Sequence, residues 1–260
     1  MTINVKTEGH IMLIEIDRPQ KLNAMTREMY TKMAQAYYKL DRDDEMWVGV
    51  VYANGPHFTS GLELTDWSDA FSSGAGFPLG GENEIDPFYM MDERRCNKPI
   101  IFAVQGYCFT WGVEAMLNAD IRVAASDTRF AMLEVKRGFF PCGGATLRLV
   151  RDIGWSNAMR YLLTGDQWTA EDAYRMGLVQ YVTEPGKQLE KAMELARKVA
   201  SVAPLGVRSI LKNARLAEQE GEQAAKKVIY QEVAEVMKSE DMQEGLQSFI
   251  ERRVAVFKGR

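Results

Sequence analysis

The chain has 260 residues, 46% hydrophobic and 26% charged, enough to bury a sizeable core as one large domain or one domain with an appendage. A net charge of −4 supplies no basic field for nucleic acid or an anionic membrane surface, and no apolar run nears the ~18 residues of a membrane span. Three cysteines without CxxC spacing argue against a disulfide framework, and two histidines against a His-rich metal site.

The N-terminal MTINVKTEGH has no basic segment followed by an apolar one, so a cytoplasmic, reducing location is expected. Residues 11–17 (IMLIEID) alternate apolar and acidic, the period of a half-buried strand that Arg18-Pro19 ends. A helix is predicted from Thr26 to Leu40, with Met29, Met33, Tyr37 and Leu40 on one face. Trp47–Ala53 is a near-continuous apolar run that suits a strand buried on both faces. Asn54-Gly55-Pro56 turns the chain into HFTSGLEL, and a small-residue turn past a buried strand is where α/β proteins place ligands. Ser68 to Pro87, with Gly74, Gly76, Gly80 and Gly81, reads as a mobile loop, either a surface insertion or a substrate lid.

A strand over Ile100–Val104, a glycine turn at Gln105-Gly106, a helix over Trp111–Asn118 and a strand over Ile121–Ala125 follow. Cys142-Gly143-Gly144 opens a helix bearing Leu147, Leu149, Val150 and Ile153. Thr169-Ala170-Glu171-Asp172 is a capping-box start, Gly177 a helix stop, and Leu178–Val182 a short strand. From Gly186 the pattern is helical to the end, broken at Pro204, with Leu246, Phe249, Ile250 and Arg253 near one another on a last helix over Gln243–Val254. The chain therefore divides into β/α units over 1–200 and a helical C-terminal region over 201–260.

Two acids stand in apolar company: Glu114 beside Val113, Ala115 and Met116, and Glu134 among Phe130, Met132, Leu133 and Val135. A buried carboxylate is costly unless hydrogen-bonded or functional, whereas an acid on an amphipathic face simply reaches solvent; both readings fit the spacing. The turn Phe109-Thr110-Trp111-Gly112 precedes the helix of Glu114, and free amides at a helix start can hold a developing oxyanion. An ordinary glycine-containing helix entry fits that turn as well. His57 reads as a solvated turn residue, and Cys108 and Cys142 as small buried residues with no histidine placed to activate them. No Walker or Rossmann glycine pattern supports a nucleotide cofactor.

Four segments in order resemble the enoyl-CoA hydratase/isomerase (crotonase) superfamily. They are Arg18-Pro19-Gln20-Lys21-Leu22-Asn23-Ala24, Phe58-Thr59-Ser60-Gly61-Leu62-Glu63-Leu64, Lys98-Pro99 through Asp120-Ile121-Arg122-Val123-Ala124, and Phe130 through Gly144. The resemblance implies an α/β fold, a crotonase-like spiral of ββα units with a C-terminal helical trimerisation region, assembled as a homotrimer or dimer of trimers. It implies an enoyl-CoA hydratase that adds water to a 2-enoyl-CoA thioester. Glu114 and Glu134 would be the acid–base pair, and the backbone amides of Leu62 and Trp111 the oxyanion hole. Lys21, Leu22, Ser60, Gly61, Gly112, Cys142 and Arg252 would contact substrate. Coenzyme A is then part of the substrate, and no metal or other cofactor is implied. The alternatives are another enolate-forming acyl-CoA reaction (isomerase, hydrolase or retro-aldol lyase) and an RNA-binding relative, which the acidic balance disfavours. Three positions depart from the family pattern: Thr110-Trp111-Gly112 replaces three glycines, Glu63 replaces an aspartate, and Pro141-Cys142-Gly143-Gly144-Ala145 replaces P-G-F-G-G. The indole of Trp111 is expected to reshape the acyl pocket.

Overall fold

The computed structural model describes residues 2–74, 77, 81–90 and 94–260. Its main sheet has six strands in the order β1 (Thr2–Glu8), β2 (Ile11–Asp17), β3 (Val48–Ala53), β4 (Ile100–Val104), β6 (Ile121–Ala125) and β9 (Tyr181–Thr183). Only the β1–β2 pairing is antiparallel. The inner strands are buried on both faces, which explains the continuous apolar runs of β3 and β4. A second, three-stranded sheet joins β5 (Tyr107–Phe109), β7 (Arg129–Ala131) and β8 (Trp168–Thr169), with Thr59 bridged to Cys108 beside it. The chain thus makes three successive turns of one design: a strand of the main sheet, a short segment in or beside the small sheet, then a helix. These helices are α2 (Leu64–Ser72), α3 (Trp111–Leu117) and α4 (Ala145–Ile153).

The first helix, α1 (Arg27–Arg42), starts where expected. The Thr26 hydroxyl accepts from the Met29 amide at 3.2 Å, and Met29, Met33, Tyr37 and Leu40 are all buried. After α4 come α5 (Trp155–Thr164), α6 (Ala170–Arg175) and α7 (Gln188–Ala200), the last of which packs on the main sheet. The C-terminal helices are α8 (Pro204–Glu220), α9 (Glu222–Val236) and α10 (Glu240–Glu251).

Three local expectations need correction. The segment from Ser68 is not loop at its start: α2 runs through Ser72, anchored by the buried Trp67, whose indole N–H donates to the Met25 carbonyl at 2.8 Å. Gly76 and Gly80 lie outside the described residues. Leu178 and Val179 are buried but belong to the stop of α6, their amides donating back to the Ala173 carbonyl, and the strand begins only at Tyr181. The last helix runs over Glu240–Glu251 rather than Gln243–Val254, because the Ser239 hydroxyl caps it by accepting from Met242.

Candidate active site

The loop after β3 is held by buried polar contacts. Asn23, fully buried at φ 54°, donates from its amide nitrogen to the carbonyls of Asn54 and His57, each at 2.8 Å, and accepts from the Arg18 amide at 2.7 Å. The Thr59 hydroxyl donates to the Asn23 carbonyl at 2.7 Å, and the Ser60 amide to the Leu22 carbonyl at 2.9 Å. The Arg18 guanidinium pairs with Glu63 at 3.0 Å, so the longer acid at that position serves as an anchor. Next to it the backbone bridges Met25: the Met25 amide donates to the Gly61 carbonyl and the Glu63 amide to the Met25 carbonyl, each at 2.9 Å. Alternation along an extended backbone then turns the Leu62 amide to the opposite side, where it donates to no described residue.

A second unused amide comes from the start of α3. Thr110 donates to the Ala131 carbonyl at 2.8 Å, and its own carbonyl accepts from Glu114 at 3.1 Å, closing the first turn of α3. The Trp111 amide, at the helix start, has no described partner. Gly112 is forced by packing, since a Cβ there would stand 2.4 Å from the Thr59 methyl. The other end of α3 is capped by Arg122, whose guanidinium donates to the carbonyls of Met116 and Leu117 at 2.9 and 3.0 Å and pairs with Asp152 at 2.7 Å.

Glu114 and Glu134 line one cavity of about 190 Å³, together with Ser60, Leu62, Leu64, Phe77, Thr110, Trp111, Leu133, Arg137, Phe139 and Cys142. Glu114 is 3% exposed, and its Oε1 accepts from the amides of Gly143 and Ala145 at 2.8 and 3.1 Å, the second opening α4. Gly143 must lack a side chain to approach so closely, because a Cβ would fall 2.7 Å from Glu114 Oε2. Glu134 is 4% exposed and its buried Oε2 has no partner among the described residues. Burial raises Glu134 to about 7; burial, then the Glu134 charge, raises Glu114 to about 8 against the pull of its two amides. The Glu134 charge acts on Glu114, so the two acids titrate as a coupled pair, each holding its proton to a higher pH than an ordinary carboxyl.

The indole of Trp111 is drawn into the core rather than left in the opening. It is 1% exposed with its ring 6.3 Å from that of Phe88, and its Nε1 has no described partner. Cys142 corrects the expectation of burial: it is exposed and lines the cavity. Cys108 is buried as expected. His57 is a structural residue, its Nδ1 accepting from the Tyr107 amide at 3.0 Å while the two rings stack.

Of the predicted substrate contacts, Ser60 and Cys142 line the cavity, and Gly61 sits between Ser60 and Leu62 in the loop. Gly112 is buried behind it. Lys21 and Leu22 lie on the neighbouring loop, and Arg252 is the exposed left-handed cap of α10; none of these three lines the cavity. The sequence reading gave no site role to Thr110, Arg137 or Phe139. Arg137 follows Glu134 by one 3-10 turn, a spacing that places both on one side, but no motif marks it.

A family model described as enoyl-CoA hydratase/isomerase matches residues 6–260. Enoyl-CoA hydratase EchA19 of Mycobacterium tuberculosis is 34% identical over 98% of this chain and 96% of its own. Carnitinyl-CoA dehydratase of Salmonella typhi is 31% identical over 100% of this chain and 99% of its own. Among solved structures, a probable enoyl-CoA hydratase/isomerase from Mycobacterium abscessus superposes with a TM-score of 0.96 at 39% identity, covering 100% of this chain and 99% of that one. An enoyl-CoA hydratase from Mycobacterium tuberculosis H37Rv gives 0.88 at 33% identity, covering 99% of each. In sequence and in fold, along nearly its whole length, the chain belongs to the enoyl-CoA hydratase/isomerase family, the crotonase superfamily.

Proposed function

We propose that this chain is an enoyl-CoA hydratase that adds water syn across the double bond of a 2-enoyl-CoA thioester. The observation that carries the reading is that two buried acids share one cavity with two backbone amides that have no partner among the described residues. Both acids hold the water. Glu114, oriented through Oε1 by Gly143 and Ala145, takes the proton from the water as its oxygen bonds to Cβ. The electron pair of the double bond moves toward the thioester oxygen, where the Leu62 and Trp111 amides stabilise the enolate; losing one such donor costs about 3 kcal/mol. The reactive form is the one with its proton on Glu134, because the Gly143 and Ala145 amides favour Glu114 ionised; Glu134 gives that proton to Cα, so the pair holds the same number of protons before and after. Delivery of both groups from one side gives the syn outcome.

In this reading Ser60 and Cys142 border the thioester, while Gly61 and Gly112 keep the two loops close. Lys21, beside Leu22 on the adjacent loop, and Arg252, across a subunit boundary, meet the CoA phosphates. Coenzyme A enters as part of the substrate and the reaction needs no other cofactor. The 201–260 region builds a homotrimer or dimer of trimers. It fits that role because α9 buries only Ala225, while Ile210 of α8, Ile229 and Val233 of α9, and Met237 just after it are exposed along an apolar groove of about 520 Å³.

The test is a panel of 2-enoyl-CoA thioesters with short, long and ring-bearing acyl chains, followed by loss of the conjugated enoyl absorbance. Turnover is expected on at least one, with Glu114→Gln slower by ~10²–10⁴-fold and its fold intact. No loss of absorbance on any member would sink the hydratase reading.

A further inference from the structure

Thr110 carries two features that closing its turn does not require. Its backbone lies at φ 47°, ψ −108°, a region that favours glycine and opposes a β-branched side chain. Both of its backbone groups are already used, toward Ala131 and Glu114, and a glycine would make the same two bonds without strain. Its hydroxyl, in contrast, makes no cap bond to α3 and no hydrogen bond to any described residue. That hydroxyl stands over Gly61, where an added Cβ would come within 2.3 Å of Oγ1. It therefore lies between the residue that precedes the Leu62 amide and the residue that carries the Trp111 amide. Thr110 lines the same cavity as Leu62, Trp111, Glu114 and Glu134.

We propose that Thr110 Oγ is a third donor to the thioester oxygen, so that the enolate charge is shared among two amides and one hydroxyl. The proposal rests on the acyl-CoA reading above. It explains why a strained threonine occupies a position where glycine would fit: the unusual φ is what swings the hydroxyl over Gly61 and toward the neighbouring loop. A rotatable O–H can follow the oxygen as the carbonyl becomes an enolate, while the two amides stay fixed.

The experiment uses acetoacetyl-CoA, whose bound enolate is read by ultraviolet difference absorbance without turnover, alongside 2-enoyl-CoA hydration. Thr110→Val keeps shape and backbone strain but removes the hydroxyl; Thr110→Ser keeps the hydroxyl; Thr110→Gly removes both hydroxyl and strain. The expected result is an enolate signal in the wild type and in T110S. In T110V and T110G the enolate should bind ~10- to 100-fold more weakly, and kcat should fall by a similar factor with KM little changed. T110G should melt no lower than the wild type, and it supplies the test if T110V fails to fold. Enolate binding in T110V and T110G equal to that in the wild type would overturn the third donor. A wild type that binds the enolate but hydrates nothing would sink the hydratase reading while the variants still decide Thr110. Absence of the enolate signal in the wild type would overturn the donor proposal itself.

Discussion

The acids are the costliest residues in the cavity, and their cost predicts how the protein responds to pH. Hydration needs one carboxyl protonated and the other ionised. Below about 7 the pair gains a second proton and above about 8 it loses both, so kcat/KM is predicted to fall on either side of a narrow maximum. The stability sign follows separately. Burial holds Glu134 at about 7, above its ordinary 4.5, so its contribution to stability is present in full below 4.5 and is lost as pH rises through about 7. Glu134→Gln should therefore raise the melting temperature at alkaline pH, by the equivalent of up to about 3 kcal/mol, and change it little in mild acid. Gly61 gives a prediction of a different kind. It sits at φ 115°, and a Cβ would strike Thr110 Oγ1, so Gly61→Ala meets both backbone strain and a collision. A loss of about 1–3 kcal/mol in a denaturant melt, with turnover falling further than stability, is the expected outcome.

Among the elements, α3 matters most, because it carries Glu114 and offers the Trp111 amide. Its two ends are held by different means: Thr110 closes the first turn, and Arg122 caps the last carbonyls from inside the core. Arg122→Met would take the guanidinium from the carbonyls of Leu117 and Leu178 and leave Asp152 with Arg151 alone, and a urea melt should show a loss of about 1–3 kcal/mol. The sequence revealed elements that were long or strongly patterned. The apolar runs of β3, β4 and β6 and the 29–33–37–40 face of α1 are visible because burial repeats along them. It hid β5, β7 and β8, which span only two or three residues each, too short for a period, and are held by pairing with one another. It hid β1, whose alternation is almost entirely polar and which is defined by its antiparallel register with β2. Helix α2 was obscured because Trp67 is its only buried residue and glycines and serines follow it. For the site, Glu114 and Glu134 were legible as acids in apolar surroundings. The Gly143 and Ala145 amides that hold Glu114 were not, because that contact spans about thirty residues and depends on a turn whose side chains differ from the family pattern.

At the scale of the molecule, the C-terminal helices are poorly satisfied within one chain. Leu246, Phe249 and Ile250 of α10 are exposed, as are Ile210 on α8 and Tyr230 on α9. An apolar face of this kind stabilises a protein only when something covers it. Ile210→Asp combined with Tyr230→Asp is predicted to lower the mass measured by light scattering to that of one chain. An unchanged assembly would place the interface elsewhere.

The central claim is that water, not merely a proton, is added to a conjugated acyl-CoA by this pair of acids. Its most direct test is incubation of the panel of short, long and ring-bearing 2-enoyl-CoA thioesters in oxygen-labelled heavy water, with the products read by mass spectrometry. The account predicts, for at least one member, one labelled oxygen at Cβ and one deuterium at Cα in the same molecule, and neither when Glu114 is replaced by Gln. Unchanged thioester across the panel, or deuterium at Cα with no labelled oxygen at Cβ, would contradict it.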